Sequence, residues 1–238
     1  KAEHGVDATL DAKRLARHAA ALGVAGVSSM APRFVKCGSA ADLARYCADV
    51  AAAAPDVPFF YYHFPLATGV AIKPSQLFAH KHTIPTLAGM KFSDSNMWEY
   101  GDCCDADASG TLAFLPGFEA QTLAYLPFHP EASYGAISLS FSILAPLHAD
   151  VAKAHYSGHS EEAHAKQAAS RSFFRAVTPF GWTQAIKLAL VDRGVLDSPL
   201  CRAPAANLSP VKREELRAAF RRLAADDPAS FGTAFGRG

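Results

Sequence analysis

The first 145 residues alternate between two kinds of segment, and that rhythm restricts the fold more than any other feature of the chain. Short apolar runs bounded by Gly or Pro stand at 25–32 (AGVSSMAP), 57–65 (VPFFYYHFP), 87–93 (LAGMKFS), 111–119 (TLAFLPGFE) and 134–142 (YGAISLSFS). Runs of this length predict buried strands. Between them lie segments of helical period. In 9–22, Leu10, Leu15, Ala19 and Leu22 recur near helical spacing and Gly23 supplies a stop; 40–54 is ended by Pro55. Strands separated by helices, at roughly 20 to 30 residues per unit, imply right-handed crossovers and a parallel sheet. After Pro146 the rhythm stops, and 148–176, 181–193 and 210–223 read as helices. Ser209 is placed to cap the last of these, with Pro210 at its first position. Arg217, Arg221 and Arg222 towards its end read as a solvated face rather than a binding patch.

Composition removes several classes of function. Half of the 238 residues are hydrophobic and 19% are charged, which excludes a disordered chain. A net charge of +1 gives no general attraction to nucleic acid or to an anionic membrane. No run of 18 or more apolar residues occurs, and the opening KAEHGVDATLDAKR has no apolar core, so neither a membrane span nor a signal peptide is predicted. The chain starts without Met, so its true N-terminus is expected upstream. Five cysteines (Cys37, Cys47, Cys103, Cys104 and Cys201) form neither C-x-x-C nor paired Cys/His spacings. Reduced thiols in a cytoplasmic protein, with no structural metal, are the expectation.

Chemistry is concentrated on two of the predicted strands. Side chains alternate along a strand, so Phe60, Tyr62 and Phe64 share one face and Tyr61 and His63 the other. By the same rule Gly89, Lys91 and Ser93 share a face, opposite Met90 and Phe92. Lys91 is a cation within a short apolar strand, where lysine is rarely buried without a role; pairing with Asp94 is the plain structural alternative. Tyr62 and Lys91 stand 29 residues apart, one strand-helix unit, near the C-terminal ends of consecutive strands. In a parallel barrel that end builds the active site. A lysine attacks a ketone only when neutral, a state held at pH 7 by about one in 2,500 at the ordinary pKa of ~10.4. Desolvation is the means by which apolar surroundings raise that fraction. A tyrosine hydroxyl within reach relays the protons of such a reaction.

YYHFPLATGV (61–70) followed by GMKFSDSNMWEYGDC (89–103), with PLCRAP (199–204) near the end, resembles the N-acetylneuraminate lyase branch of the dihydrodipicolinate synthase/N-acetylneuraminate lyase superfamily, the animal-type lyases most closely. The resemblance runs from LARHA (15–19) to the last helix. It implies a (β/α)8 TIM barrel with a C-terminal helical extension, and a class I aldolase. In that scheme Lys91 is the Schiff-base lysine and Tyr62 the catalytic tyrosine. Ser93 contacts substrate, Gly117 and Glu119 lie against the sugar chain, and Ile137 and Ser138 help to hold pyruvate. The implied substrate is a sialic acid or another 2-keto acid; the covalent imine with Lys91 needs no cofactor or metal, and the implied assembly is a homotetramer.

The chain departs from the family at several places. Ala67 stands where the synthases place an arginine, which argues against a dihydrodipicolinate synthase. Phe34 replaces an aromatic tyrosine and cannot relay a proton, Ala120 replaces a second acidic residue, and Leu139 replaces a hydroxyl. The Gly-Ser/Thr-Thr-Gly-Glu loop that binds the pyruvate carboxylate is absent. The expectation is therefore a barrel lacking its first two to three strands: residues 1–145 supply strands four to eight, 146–225 the last barrel helix and the helical extension, and 226–238 a flexible tail. Such a chain is either a fragment or a degenerate paralogue. The remaining functional alternatives are a different 2-keto acid aldolase, hydratase or dehydratase, and a non-catalytic assembly subunit. His63 reads as packing, His80 and His82 as solvated, Cys103 and Cys104 as buried packing, Trp98 and Tyr100 as core contacts, and Asp94 as a helix cap.

Overall fold

A computed structural model describes residues 2–4, 7–107, 110–131 and 134–235. Five parallel strands lie in chain order: β1 (Ala2–His4), β2 (Val27–Met30), β3 (Phe59–His63), β4 (Leu87–Phe92) and β5 (Ala113–Pro116). The parallel α/β sheet expected from the alternating segments is present, but its membership differs. β1 falls where the chain was expected to enter at the end of a strand; residues 1, 5 and 6 of that stretch lie outside the described residues. The run at 134–142 is not a strand: 134–138 is irregular, and one bond, from the Ile137 N–H to the Pro116 carbonyl (3.0 Å), ties it to the end of β5. From Ser140, already in helical conformation, the chain enters α7.

Helices α1 (Thr9–Ala21) and α2 (Ala40–Ala51) connect the first three strands. The Ser39 hydroxyl caps α2 by accepting the Asp42 N–H (3.1 Å). α2 buries Leu43, Tyr46, Cys47 and Val50, a stripe at i, i+3, i+4 and i+7. α1 corrects an expectation. Its buried stripe is Ala12, Ala16 and Ala19, so the backbone comes close to its neighbours and Leu10 and Leu22 are left exposed. α3 (Pro65–Thr68) and α4 (Pro74–Phe78) follow β3, α5 (Met97–Asp105) follows β4, and α6 (Thr122–Tyr125) follows β5.

The chain divides into two compact units, Lys1–Phe118 with Phe128–Ile137, and Glu119–Pro127 with Ser138–Gly238. The boundaries fall inside the span expected as one partial barrel, not at 145/146. The second unit holds α6, α7 (Phe141–Tyr156), α8 (Ser160–Val177), α9 (Trp182–Asp192), α10 (Pro210–Asp226) and α11 (Pro228–Phe235). One helix was expected at 148–176; two form, because Gly158 takes φ +76° between them. Pro146 lies inside α7, where Leu144 leaves helical geometry, the usual consequence of a proline that cannot bond backwards. α10 starts as expected, with the Ser209 hydroxyl accepting the Lys212 N–H (3.2 Å) and Pro210 at the first position.

The expected flexible tail is instead mostly α11. Phe231 is buried and the Phe235 ring stacks on Phe220 at 4.4 Å, so aromatic packing against α10 orders the segment; residues 236–238 lie outside the described residues. Among the described residues, no helix is long and apolar enough to cross a membrane.

Candidate active site

Alternation along β3 and β4 decides which side chains meet. The register pairs Phe60 with Gly89 and Tyr62 with Lys91, and carries on to β5 by pairing Gly89 with Ala113 and Lys91 with Leu115. These residues therefore share one face of the sheet. The opposite face carries Tyr61, His63, Met90, Phe92 and Phe114, all buried. Gly89 takes φ +152°, and a Cβ there would overlap the Ala113 carbonyl oxygen, so only glycine lets β5 approach at this point.

Lys91 is 8% exposed, and its Nζ lies 3.9 Å from the centroid of the Tyr62 ring. The ammonium group meets the negative face of the ring, a cation–π arrangement. Phe64 stacks on Tyr62 at 5.6 Å and 20°, and Phe118 in turn meets Phe64 edge-on at 6.3 Å. Phe64 and Phe118 are functional candidates that motif reading passed over. The alternation that places Phe64 on the Tyr62 face was the available signal.

Past the strand ends, backbone bonds step across the sheet in a regular way. The Ser93 N–H donates to the His63 carbonyl (2.8 Å), the Gly117 N–H to the Phe92 carbonyl (2.7 Å), and the Ile137 N–H to the Pro116 carbonyl. Ser93, Gly117 and Ile137 are thereby set at the same C-terminal end of the sheet as Tyr62 and Lys91. Ser93 is buried, and a Cβ on Gly117 would overlap its hydroxyl oxygen. The glycine thus makes room for the serine.

Glu119 and Ser138 belong to the second unit. The buried Glu119 carboxylate accepts the Ser140 backbone N–H (2.7 Å) through Oε1. Its main-chain carbonyl accepts from the Thr122 hydroxyl (3.0 Å), the Gln167 amide (3.1 Å) and the Ser170 hydroxyl (3.3 Å). His148, buried on α7, hydrogen-bonds Thr122 Oγ1 through Nδ1 (3.1 Å) and Ser140 Oγ through Nε2 (3.4 Å). Burial pushes its pKa down to about 4, so the ring is neutral at pH 7. His148 therefore ties together the two segments that carry Glu119 and Ser138. Nothing marked it in advance except a lone histidine in the apolar stretch SILAPLHADV.

Several residues around the site are placed differently from expectation. Asn96, not Asp94, caps α5, accepting the Glu99 N–H (3.1 Å). Asp94 accepts the Ser95 N–H (2.6 Å) and its other oxygen lies 3.5 Å from His63 Nε2. His63 is buried and stacked on Phe92 (5.2 Å), consistent with a packing role; burial holds its pKa below the usual value although Asp94 opposes the shift. Tyr100 is a core residue, but Trp98 is 80% exposed, because the buried stripe of α5 passes through Glu99, Tyr100 and Cys103. Cys103 is buried and Cys104 half-buried; burial pushes both thiols up, Cys104 to about 12, so neither is a thiolate at neutral pH. All five cysteines are free. Among the described residues, no group of three or more His, Cys, Asp or Glu side chains is placed to hold a metal ion.

Comparison with known proteins matches residues 2–223 to the dihydrodipicolinate synthetase family. N-acetylneuraminate lyase of Sus scrofa is 37% identical over 135 residues, 56% of this chain and 41% of that protein. N-acetylneuraminate lyase A of Xenopus laevis is 33% identical over 173 residues, 72% of this chain and 55% of that protein. The chain thus spans about half the length of the curated relatives it matches. Among solved structures, N-acetylneuraminate lyase of Proteus mirabilis superposes with a TM-score of 0.85 at 26% identity, covering 93% of this chain and 73% of that one. The sialic acid aldolase of Aliivibrio salmonicida gives 0.82 at 28% identity, covering 91% and 72%.

Proposed function

Because the chain belongs to the dihydrodipicolinate synthetase family, we propose that it carries the lysine-bearing part of a Schiff-base aldolase that splits N-acetylneuraminate into N-acetylmannosamine and pyruvate. The observation that carries this reading is the pairing of Tyr62 with Lys91 in register on neighbouring parallel strands, with Nζ 3.9 Å from the ring. The names of the relatives supply the substrate class. The strands are read as successive members of an eight-stranded β/α barrel followed by helices, a reading supported by their sequential parallel order and by the superposition on the Proteus mirabilis lyase. Assembly as a homo-oligomer in the cytoplasm is part of the same proposal.

In this mechanism Lys91 Nζ adds to the C2 ketone of the open-chain sugar acid, and loss of water leaves a protonated imine. Tyr62 relays the proton from the C4 hydroxyl as the C3–C4 bond breaks. The bonding electrons move into the imine and give an enamine, which is protonated at C3 and hydrolysed to release pyruvate. The imine is itself the electron sink, so the scheme uses neither metal nor organic cofactor. Ser93 is assigned to substrate contact, Gly117 and Glu119 to the sugar chain, and the backbone at Ile137 and Ser138 to the pyruvate end.

A second substrate within the same chemistry is another 2-keto acid, since Ala120 and Leu139 carry no polar side chain. Borohydride reduction with pyruvate tests the common step: a three-carbon adduct on Lys91 is expected, and its absence from the full-length protein would overturn both readings. Pyruvate release from a panel of 2-keto acids, coupled to lactate formation, then separates N-acetylneuraminate from the alternatives.

A further inference from the structure

A cavity of about 470 Å³ opens in the second unit, walled by α9, α10 and α11. None of its lining residues belongs to the unit that carries Lys91. Its volume lies within the range of small-molecule sites, about 300–1,000 Å³. Phe220 and Phe235 line the cavity, stacked on each other at 4.4 Å with their planes 1° apart; Phe220 is buried and Phe173 stacks near-parallel to Phe235 at 6.0 Å, so the pair offers ring edges. Three arginines line it, and they are not equivalent. Arg217 is already engaged, donating from Nε and Nη2 to Asp192 (3.0 and 2.7 Å) and from Nη1 to Glu214 (2.5 Å). Arg193 and Arg221 are exposed, and among the described residues neither makes an ion pair. Arg221 follows Arg217 by four residues, so both project from the same side of α10.

Asp192, the one carboxylate of the lining, is therefore neutralised by Arg217, and two uncompensated guanidinium groups stand beside aromatic ring edges. Guanidinium forks bind carboxylates and phosphates through paired, charge-assisted bonds, and stack on flat rings as ammonium groups do not. An apolar surface beside them lowers the local dielectric and strengthens those bonds. We propose that this cavity binds a small anion bearing a flat apolar body, an aryl phosphate or aryl carboxylate, its ring against the edges of Phe220 and Phe235 and its charge between Arg193 and Arg221. Nothing in this proposal depends on the aldolase reading.

Phenyl phosphate is the probe, titrated calorimetrically beside inorganic phosphate and phenol, its two halves taken separately. One saturable site is expected, binding phenyl phosphate at least about tenfold more tightly than either half, as apolar contact and charge-assisted bonding combine. Arg193→Gln with Arg221→Gln should weaken it about tenfold or more without shifting the thermal midpoint, since neither side chain is paired in the fold. Lys91→Met should leave the affinity unchanged. Absence of saturable binding overturns the proposal, as does phosphate binding as tightly as its phenyl ester. Affinity indifferent to the two arginines, or lost with Lys91, overturns it too.

Discussion

His148 should make the protein acid-sensitive in a way that one substitution removes. Its pKa falls from 6.5 to about 4 on burial, so the unfolded chain takes up the proton before the folded one does. The stability this supplies is complete above pH ~6.5 and is lost as the pH falls towards ~4. From those two values the loss attributable to this ring is on the order of 1 kcal/mol at pH 5.5 and roughly 2–3 kcal/mol at pH 4.5. The structure supplies the reason: the buried ring holds the hydroxyls of Thr122 and Ser140, and among the described residues no carboxylate within hydrogen-bonding reach favours its cationic form. Urea unfolding of the wild type and of His148→Gln, at pH 7, 5.5 and 4.5, measures the effect. The substitution should cost stability at pH 7, where it removes two hydrogen bonds, and the gap should shrink by those amounts as the pH falls. A gap that stays constant with pH would show that His148 titrates alike in both states and would refute the reasoning.

Three further outcomes are expected. Tyr62→Phe keeps the ring that Lys91 and Phe64 pack against, so the borohydride adduct should still form while turnover falls about 10²- to 10⁴-fold; equal loss of both would refute a proton-relay role. Gly117→Ala should turn the Ser93 hydroxyl out of its place, raising KM for pyruvate-bearing substrates at a stability cost of about 1–3 kcal/mol, readable by steady-state kinetics beside thermal unfolding. Phe231→Ala should destabilise the second unit by about 3–5 kcal/mol in chemical denaturation, whereas a frayed tail would show no change.

Alternation and spacing made much of the lysine-bearing unit legible. Tyr62 and Lys91 were placed on one face by counting along two strands, and the register pairs them directly. Local pattern failed where distant contacts decide. The run at 134–142 alternates like a strand, yet is irregular, with the Ile137 N–H bonded to the Pro116 carbonyl of β5, before Ser140 turns into α7. The last helix starts at Pro228, a favourable first residue, but contains glycine, and it is ordered by rings on α8 and α10 that lie outside it. The leucines of α1 suggested its buried face, but the close approach of neighbouring backbone selected the alanines. Glu119 and Ser138 could be named from motif resemblance, whereas the histidine that ties their segments together lies further along the chain and belongs to no motif.

The close fit of Ser93 against Gly117 constrains how this protein can change as well as how it works. A side chain can enter position 117 only once the hydroxyl at 93 has moved or gone, whereas position 93 can lose its hydroxyl first without obstruction. The two sites form a lock with a fixed order of opening. Descendants with a new substrate should then lose Ser93 before they gain bulk at 117, and variant libraries that randomise 117 alone will mostly sample blocked steps.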